Sequence, residues 1–164
     1  MLLLLVARPH LIHARSKSRP EVAVKLLKFV DWETMPKDSY MSLSQVINHF
    51  LSCPFSPAYN NLIREALPQF AWHINEVKPQ EYTIWHSRVE ALQRRYFNYL
   101  LLNDKLVLAL HLACELQSRY MCHTLSAAAE QYDGERARFV AKTARAAYSI
   151  QTQLCASPVS VSFV

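Results

Sequence analysis

The sequence predicts an all-α fold of stacked helical hairpins, similar to an α-solenoid or a tetratricopeptide array, and three observations carry the prediction. The first is glycine usage: 164 residues contain one glycine, Gly134. β-Hairpins, propeller blades, phosphate-binding loops, dinucleotide fingerprints and nucleophile elbows all need glycine where the backbone turns tightly or approaches a ligand. No β-propeller is therefore expected in this chain. The second is a 51% hydrophobic composition with 11% aromatics, enough apolar surface to bury a core. The third is spacing: apolar residues recur every three or four positions behind prolines and serines that suit helix starts.

Pro20 to Val30 reads as the first helix, with Pro20 at its first position, Glu21 complementing the dipole, and Val22, Leu26 and Phe29 at helical spacing. The segment Trp32 to Pro36 breaks it. Ser42-Leu43-Ser44-Gln45 has the pattern of a capping box, so the second helix is expected from Ser42, with Val46, Ile47, Phe50 and Leu51 apolar. Pro57 opens a short third helix with Leu62, Ile63, Ala66 and Leu67, stopped by Pro68. A connector carrying Phe70 and Trp72 follows. From Gln80 a long helix reaches Leu102 through Trp85, Val89, Leu92, Tyr96 and Tyr99, and Asn103-Asp104 ends it.

Leu106 to Gln117 is the next helix, with the stripe Leu106, Leu110 and Ala113. Ser118 caps another, whose inward face is Met121, Leu125, Ala128 and Ala129. Asp133-Gly134 makes a turn, and Glu135 to about Ile150 carries Ala137, Val140, Ala141, Ala144 and Tyr148 inward. Helices joined by short turns, with alanines on facing sides, are the pattern of stacked hairpins. No strict repeat of about 34 residues emerges, so the tetratricopeptide likeness is one of architecture. The expected organisation is an apolar and basic N-terminal extension over 1–19, a helical domain over 20–150 and a tail over 151–164.

Charge is unevenly placed. Residues 1–20 carry Arg8, Arg15, Lys17 and Arg19 without an acid, whereas the remainder holds 14 basic and 13 acidic side chains. The body is nearly neutral, which gives no support to a phosphate-tracking surface, and no nucleic-acid partner is expected. The run Leu2 to Ala7 has no preceding charge and is followed by Arg8-Pro9, so it reads as a helix fragment rather than a secretory signal. No window approaches the ~20 apolar residues that a bilayer span requires. Cys53, Cys114, Cys122 and Cys155 stand apart among apolar neighbours, as reduced buried thiols do.

Candidate chemistry is sparse. His111, Cys114, Cys122 and His123 are the most metal-like set, with one pair on each of two consecutive helices. Adjacent helical residues point about 100° apart, so Cys122 and His123 cannot easily face one ion, and no metal or cofactor is expected. No clustered pair of acids and no strained turn beside a thiol suggests a catalytic centre, so an enzyme is not expected. Arg138, Lys142 and Arg145 share a face of the last helix, with Arg136 offset. They read either as a solvated face or as a docking surface for an acidic partner or anionic lipid head groups. Arg94-Arg95 is a second candidate, beside Tyr96-Phe97, where the cations can snorkel over a core edge.

A longer pattern adds a family. Ala23-x-x-Leu26-Leu27 leads to Asp31-Trp32-Glu33-Thr34-Met35. Ser42-Leu43-Ser44 and Val46-Ile47-Asn48-His49-Phe50-Leu51 come next, then Glu81-Tyr82 and Arg94-Arg95-Tyr96-Phe97-x-Tyr99-Leu100-Leu101. Ala109-x-x-Leu112-Ala113 and Gly134-Glu135 with Ala141, Ala144 and Arg145 complete one colinear order over about residues 22–150. This order resembles the C-terminal helical region of the Fritz proteins, WD-repeat planar cell polarity effectors. The resemblance implies a non-enzymatic scaffold that works with Inturned and Fuzzy in ciliogenesis, recruitment of intraflagellar transport proteins and septin organisation. It implies a place in the cytoplasm, at the cilium base and axoneme, on the cytoskeleton and at the plasma membrane. It supplies no catalytic residue. The chain departs from the family in having no Trp-Asp repeat or propeller, as a short isoform or a divergent or truncated relative would. The alternative is a small viral or bacterial all-α adaptor for a host protein, with a coincidental likeness.

Connector aromatics usually mark contacts with something else. Trp32, Phe70 and Trp72, together with the apolar run Leu2 to Val6, therefore lead to an expectation that the chain alone is poorly soluble or self-associates.

Overall fold

The computed structural model describes residues 12, 18–68, 79–132 and 134–156, and every regular element among them is helical. The fold is all-α. The chain divides into two compact units, Met1–Gln93 and Arg94–Val164. No helix among the described residues is long and apolar enough to cross a membrane.

In the first unit, α1 (Pro20–Leu26) tightens into a 3-10 turn over Leu27–Phe29, and α2 (Pro36–Leu51) and α3 (Pro57–Ala66) follow. The three helices pack on one another pairwise. In α2 and α3 the buried side chains largely follow the helical spacing, with Leu43, Val46, Ile47 and Phe50 from α2 and Ile63 and Ala66 from α3. The first segment, however, buries Ala23, Val24 and Leu27 in place of the expected Val22, Leu26 and Phe29. Phe50 stacks on Tyr59 with ring centroids 5.3 Å apart. The first helix ends earlier than its apolar pattern suggests, and Phe29 points to solvent.

Two expectations are corrected here. Helix α2 starts at Pro36, not Ser42. Ser42 sits in mid-helix, buried, with its hydroxyl donating to the Asp38 carbonyl at 2.8 Å. Proline at the first helical position, with its fixed φ and missing donor, starts the helix one and a half turns ahead of the capping-box pattern. Trp32 is completely buried, so this aromatic belongs to the core and not to a docking surface. Its turn is held by Asp31, which accepts hydrogen bonds from the Thr34 backbone N–H at 2.9 Å and from the Thr34 hydroxyl. Those bonds hold the Asp31 carboxyl below the usual carboxylate range. Ile12, ahead of α1, is also fully buried and adds a side chain to the core.

Phe70, Trp72 and Leu2 to Val6, which the self-association expectation also invokes, lie outside the described residues. The Ser56 side chain accepts from the Tyr59 N–H at 3.2 Å and caps α3. Replacing it with alanine is expected to cost about 1 kcal/mol, the usual value of an N-cap. A urea titration of the helical signal checks this: Ser56→Ala should lower the midpoint, and Ser56→Asp should restore it.

Helix α4 (Pro79–Leu102) runs through the boundary between the units. Trp85, Val89 and Leu92 are its buried residues on the first side, and Tyr96, Phe97 and Leu100 on the second. Arg88 lies over the Trp85 ring, 4.8 Å from its centroid, and 5.7 Å from that of Tyr40.

The second unit continues with α5 (Leu106–Glu115), α6 (Arg119–Ala129) and α7 (Glu135–Ala156). Two of its turns close without glycine. After α4, the Lys105 N–H donates to the Leu100 carbonyl at 2.9 Å and the Asp104 N–H to Leu101 at 3.0 Å, with Asp104 at φ +57°. After α5, the Ser118 N–H donates to Ala113 and the Gln117 N–H to Cys114, both at 3.1 Å, with Gln117 at φ +49°. Each is a Schellman closure that places a non-glycine residue in the left-handed region. Gly134 alone, at φ +132°, occupies a conformation that side chains avoid.

Ser118 caps α6 by accepting from the Met121 N–H at 3.4 Å. Helix α6 packs against α5 and most extensively against α7, burying Met121, Cys122, Leu125, Ser126 and Ala129. Facing them, α7 buries Ala137, Val140, Ala141 and Ala144. It runs on to Ala156, into the segment assigned to the tail, because no breaker stands before Ser157-Pro158. The Thr152 hydroxyl donates to the Tyr148 carbonyl at 2.8 Å within that added stretch.

Candidate functional site

The α6–α7 hairpin shapes a groove of about 290 Å³. Ala129 and Glu130 line it from the end of α6, Tyr132 from the connection, and Arg138, Ala141, Lys142 and Arg145 from α7. Its geometry follows from local sequence. Helix α6 ends at Ala129, Gly134 reverses the chain, and the Arg138 N–H donates to the Gly134 carbonyl at 3.1 Å in the first turn of α7. Side chains at spacings of four and three then fall on one face of α7. The three cations expected to share a face do so, and all three are exposed.

The electrostatics of the groove are uneven. Arg145 forms an ion pair with Glu130 across the hairpin. Arg138 and Lys142 have no ion-pair partner among the described residues. Tyr132 is fixed by its hydroxyl, which donates to the Asp104 carboxylate in the turn between α4 and α5. That hydrogen bond, with lesser contributions from desolvation and the carboxylate charge, pushes the Tyr132 phenol above its ordinary value. The phenol therefore stays protonated through the neutral range. Two cations with no ion-pair partner among the described residues, beside a paired one over a concave surface, give a site that can hold an anionic group.

Arg94 and Arg95 are exposed on α4 and do not line this groove. The adjacent Tyr96 and Phe97 are buried, as the snorkelling reading expects of the positions beside them. Arg136 is likewise exposed and outside the groove. The groove residues missed by sequence reading are Glu130 and Tyr132, whereas Ala129 and Ala141, expected to face inward, also line it. Glu130 and Arg145 stand 15 residues apart, so only the hairpin register, which spacing along one helix does not reveal, brings them together.

The four metal-like residues separate. His111, Cys114 and His123 are exposed and Cys122 is buried, and among the described residues no three metal-ligating side chains converge. The His123 ring instead lies 5.7 Å from that of Tyr148, which Arg119 also covers at 5.5 Å. Burial pushes the Cys122 thiol up, and the nearby Cys114 adds to the effect. Thiolate is the reactive form, so alkylation near neutral pH should modify Cys114 about tenfold or more faster than Cys122. Peptide mapping after a timed iodoacetamide pulse reads this directly, and equal labelling of the two would contradict the burial of Cys122.

Searches of curated proteins and of solved structures find no significant match. The family model described as "WD repeat-containing and planar cell polarity effector protein Fritz" matches residues 9–131, three quarters of the chain. The match takes in α1 to α6 and ends just before the turn into α7. It removes the alternative in which the likeness of the colinear motifs is a coincidence. By that match the chain belongs to the Fritz family of planar cell polarity effectors.

Proposed function

We propose that this chain acts as a non-enzymatic scaffold, through protein–protein contacts that serve ciliogenesis, recruitment of intraflagellar transport proteins and septin organisation. The observation that carries the reading is the family match over residues 9–131. The all-α hairpin architecture is in keeping with it, since helix pairs of this kind present extended surfaces to partners. Inturned and Fuzzy are the proposed partners, with septins and intraflagellar transport proteins as further ones. The proposed places of action are the cytoplasm, the cilium base and axoneme, the cytoskeleton and the plasma membrane. Arg138, Lys142 and Arg145 on α7, with Arg94 and Arg95 on α4, are the proposed contact residues.

A fluorescent fusion of the full chain in ciliated cells tests the reading. Concentration at the cilium base, with septin filaments as the second expected site, is the predicted result. A uniform distribution that ignores both structures would contradict it.

A further inference from the structure

We propose that the groove between α6 and α7, with the exposed stripe beside it, docks an acidic amphipathic helix of a partner protein. This deepens the scaffold reading and rests on it.

Two rows run side by side along the outer surface of α7. Arg138, Lys142 and Arg145 form the cation row that borders the groove. One helical step away, Phe139, Ala146 and Ile150 recur at spacings of seven and four and form an apolar row. Phe139 is 63% exposed and Ile150 57%, so neither is used by the core. Inward-facing Ala137, Val140, Ala141 and Ala144 already supply the packing against α6. The outer face therefore carries apolar surface that the described part of the hairpin does not use, next to two cations with no ion-pair partner among the described residues.

The occupant follows from complementarity. A row of acidic side chains satisfies Arg138 and Lys142, and an adjacent row of leucine-like side chains covers Phe139 and Ile150. Phe139 and Ile150 are separated along the axis by about 16 Å, which matches roughly three turns of a partner helix. An anionic lipid surface would meet the cation row but leave the concave groove between α6 and α7 unfilled. A second copy of this chain fits poorly as well, since it would oppose one cation row to another.

The probe is a labelled helical peptide in which leucines recur every three to four residues and glutamates flank them, titrated against the full chain by fluorescence anisotropy. The account expects saturable binding that weakens with salt and falls about tenfold in the double variant Arg138→Glu/Lys142→Glu. Phe139→Ser should weaken it severalfold while leaving its salt dependence in place. A charge-swapped peptide, with lysines for the glutamates, should recover affinity for the double variant, which a merely unfolded protein could not provide.

Absence of binding, or equal binding by the double variant, would overturn the proposal. Binding to phosphatidylserine-containing vesicles through the same cations, without peptide binding, would replace it with a membrane surface. Dimerisation in light scattering that is lost in Phe139→Ser would replace it with a self-interface. The scaffold reading fails separately: a fusion spread uniformly through the cell with peptide binding intact defeats that reading, whereas a correctly placed fusion without peptide binding defeats only the groove.

Discussion

Trp32→Ala is expected to lower stability by about 3–5 kcal/mol, the usual cost of emptying a large aromatic site. Among the described residues Trp32 is the largest fully buried side chain, and it stands in the bend between the 3-10 turn and α2. The bend is held by the Asp31–Thr34 hydrogen bonds and by the Met35 N–H donating to the Asp31 carbonyl at 3.2 Å, and burial of the indole anchors it to the core. Domains are commonly stable by about 5–15 kcal/mol, so the substitution removes a large share of that margin. Trp32→Phe should cost much less, because it keeps most of the apolar area and leaves a smaller void. Chemical denaturation followed by circular dichroism gives both values. An unchanged midpoint in Trp32→Ala would mean that the indole is not a core element and would return it to the role of a contact aromatic.

Leu125→Ala is the second large effect, at about 2–5 kcal/mol. Leu125 is fully buried on α6, the helix that packs against both α5 and α7. The buried positions of those two helices include many small residues, Ala109 and Ala113 on α5 and Ala137, Ala141 and Ala144 on α7, beside Leu110, Leu112 and Val140. Alanines bring the helix backbones close and have no free rotamers, so they cannot swing into a cavity. The site is therefore expected to relax little, which places the cost toward the upper part of the range. Leu125→Met, which conserves volume, should cost less than about 1.5 kcal/mol. A drop in the helical signal's midpoint for alanine but not methionine supports this packing, and equal effects would contradict it.

Much of the fold was legible because helix boundaries here are set by local chemistry. Pro20, Pro57 and Ser118 each act at the position their backbone or side-chain preference suits, and Asn103-Asp104 ends α4 where expected. Ser42 misled because serine's hydroxyl has two uses: it can cap a helix start or return to a carbonyl four residues back. Only the earlier proline decides between them. Trp32 misled for a different reason. A residue in a short break was read as exposed, although a break between packed helices can point its side chain straight into their shared core. Gln151 to Ala156 carry no strong apolar rhythm, so the end of α7 became visible only in the structure.

The candidate site was legible by halves. Arg138, Lys142 and Arg145 lie on one helix, where periodicity alone places them together. Glu130 and Tyr132 join them through the length of the α6–α7 connection and the tilt of one helix on the other, which no single-helix pattern encodes. Phe139 falls outside the inward face expected of the last helix, and the structure leaves it exposed. The family was legible because its motifs keep one order over most of the chain.

Affinity capture of the full-length chain from ciliated cells that express Inturned and Fuzzy, quantified by mass spectrometry against a helical control bait, addresses the scaffold claim most directly. The account predicts enrichment of both proteins well above the control, with septins present at lower abundance. Recovery of neither Inturned nor Fuzzy above the control would contradict it.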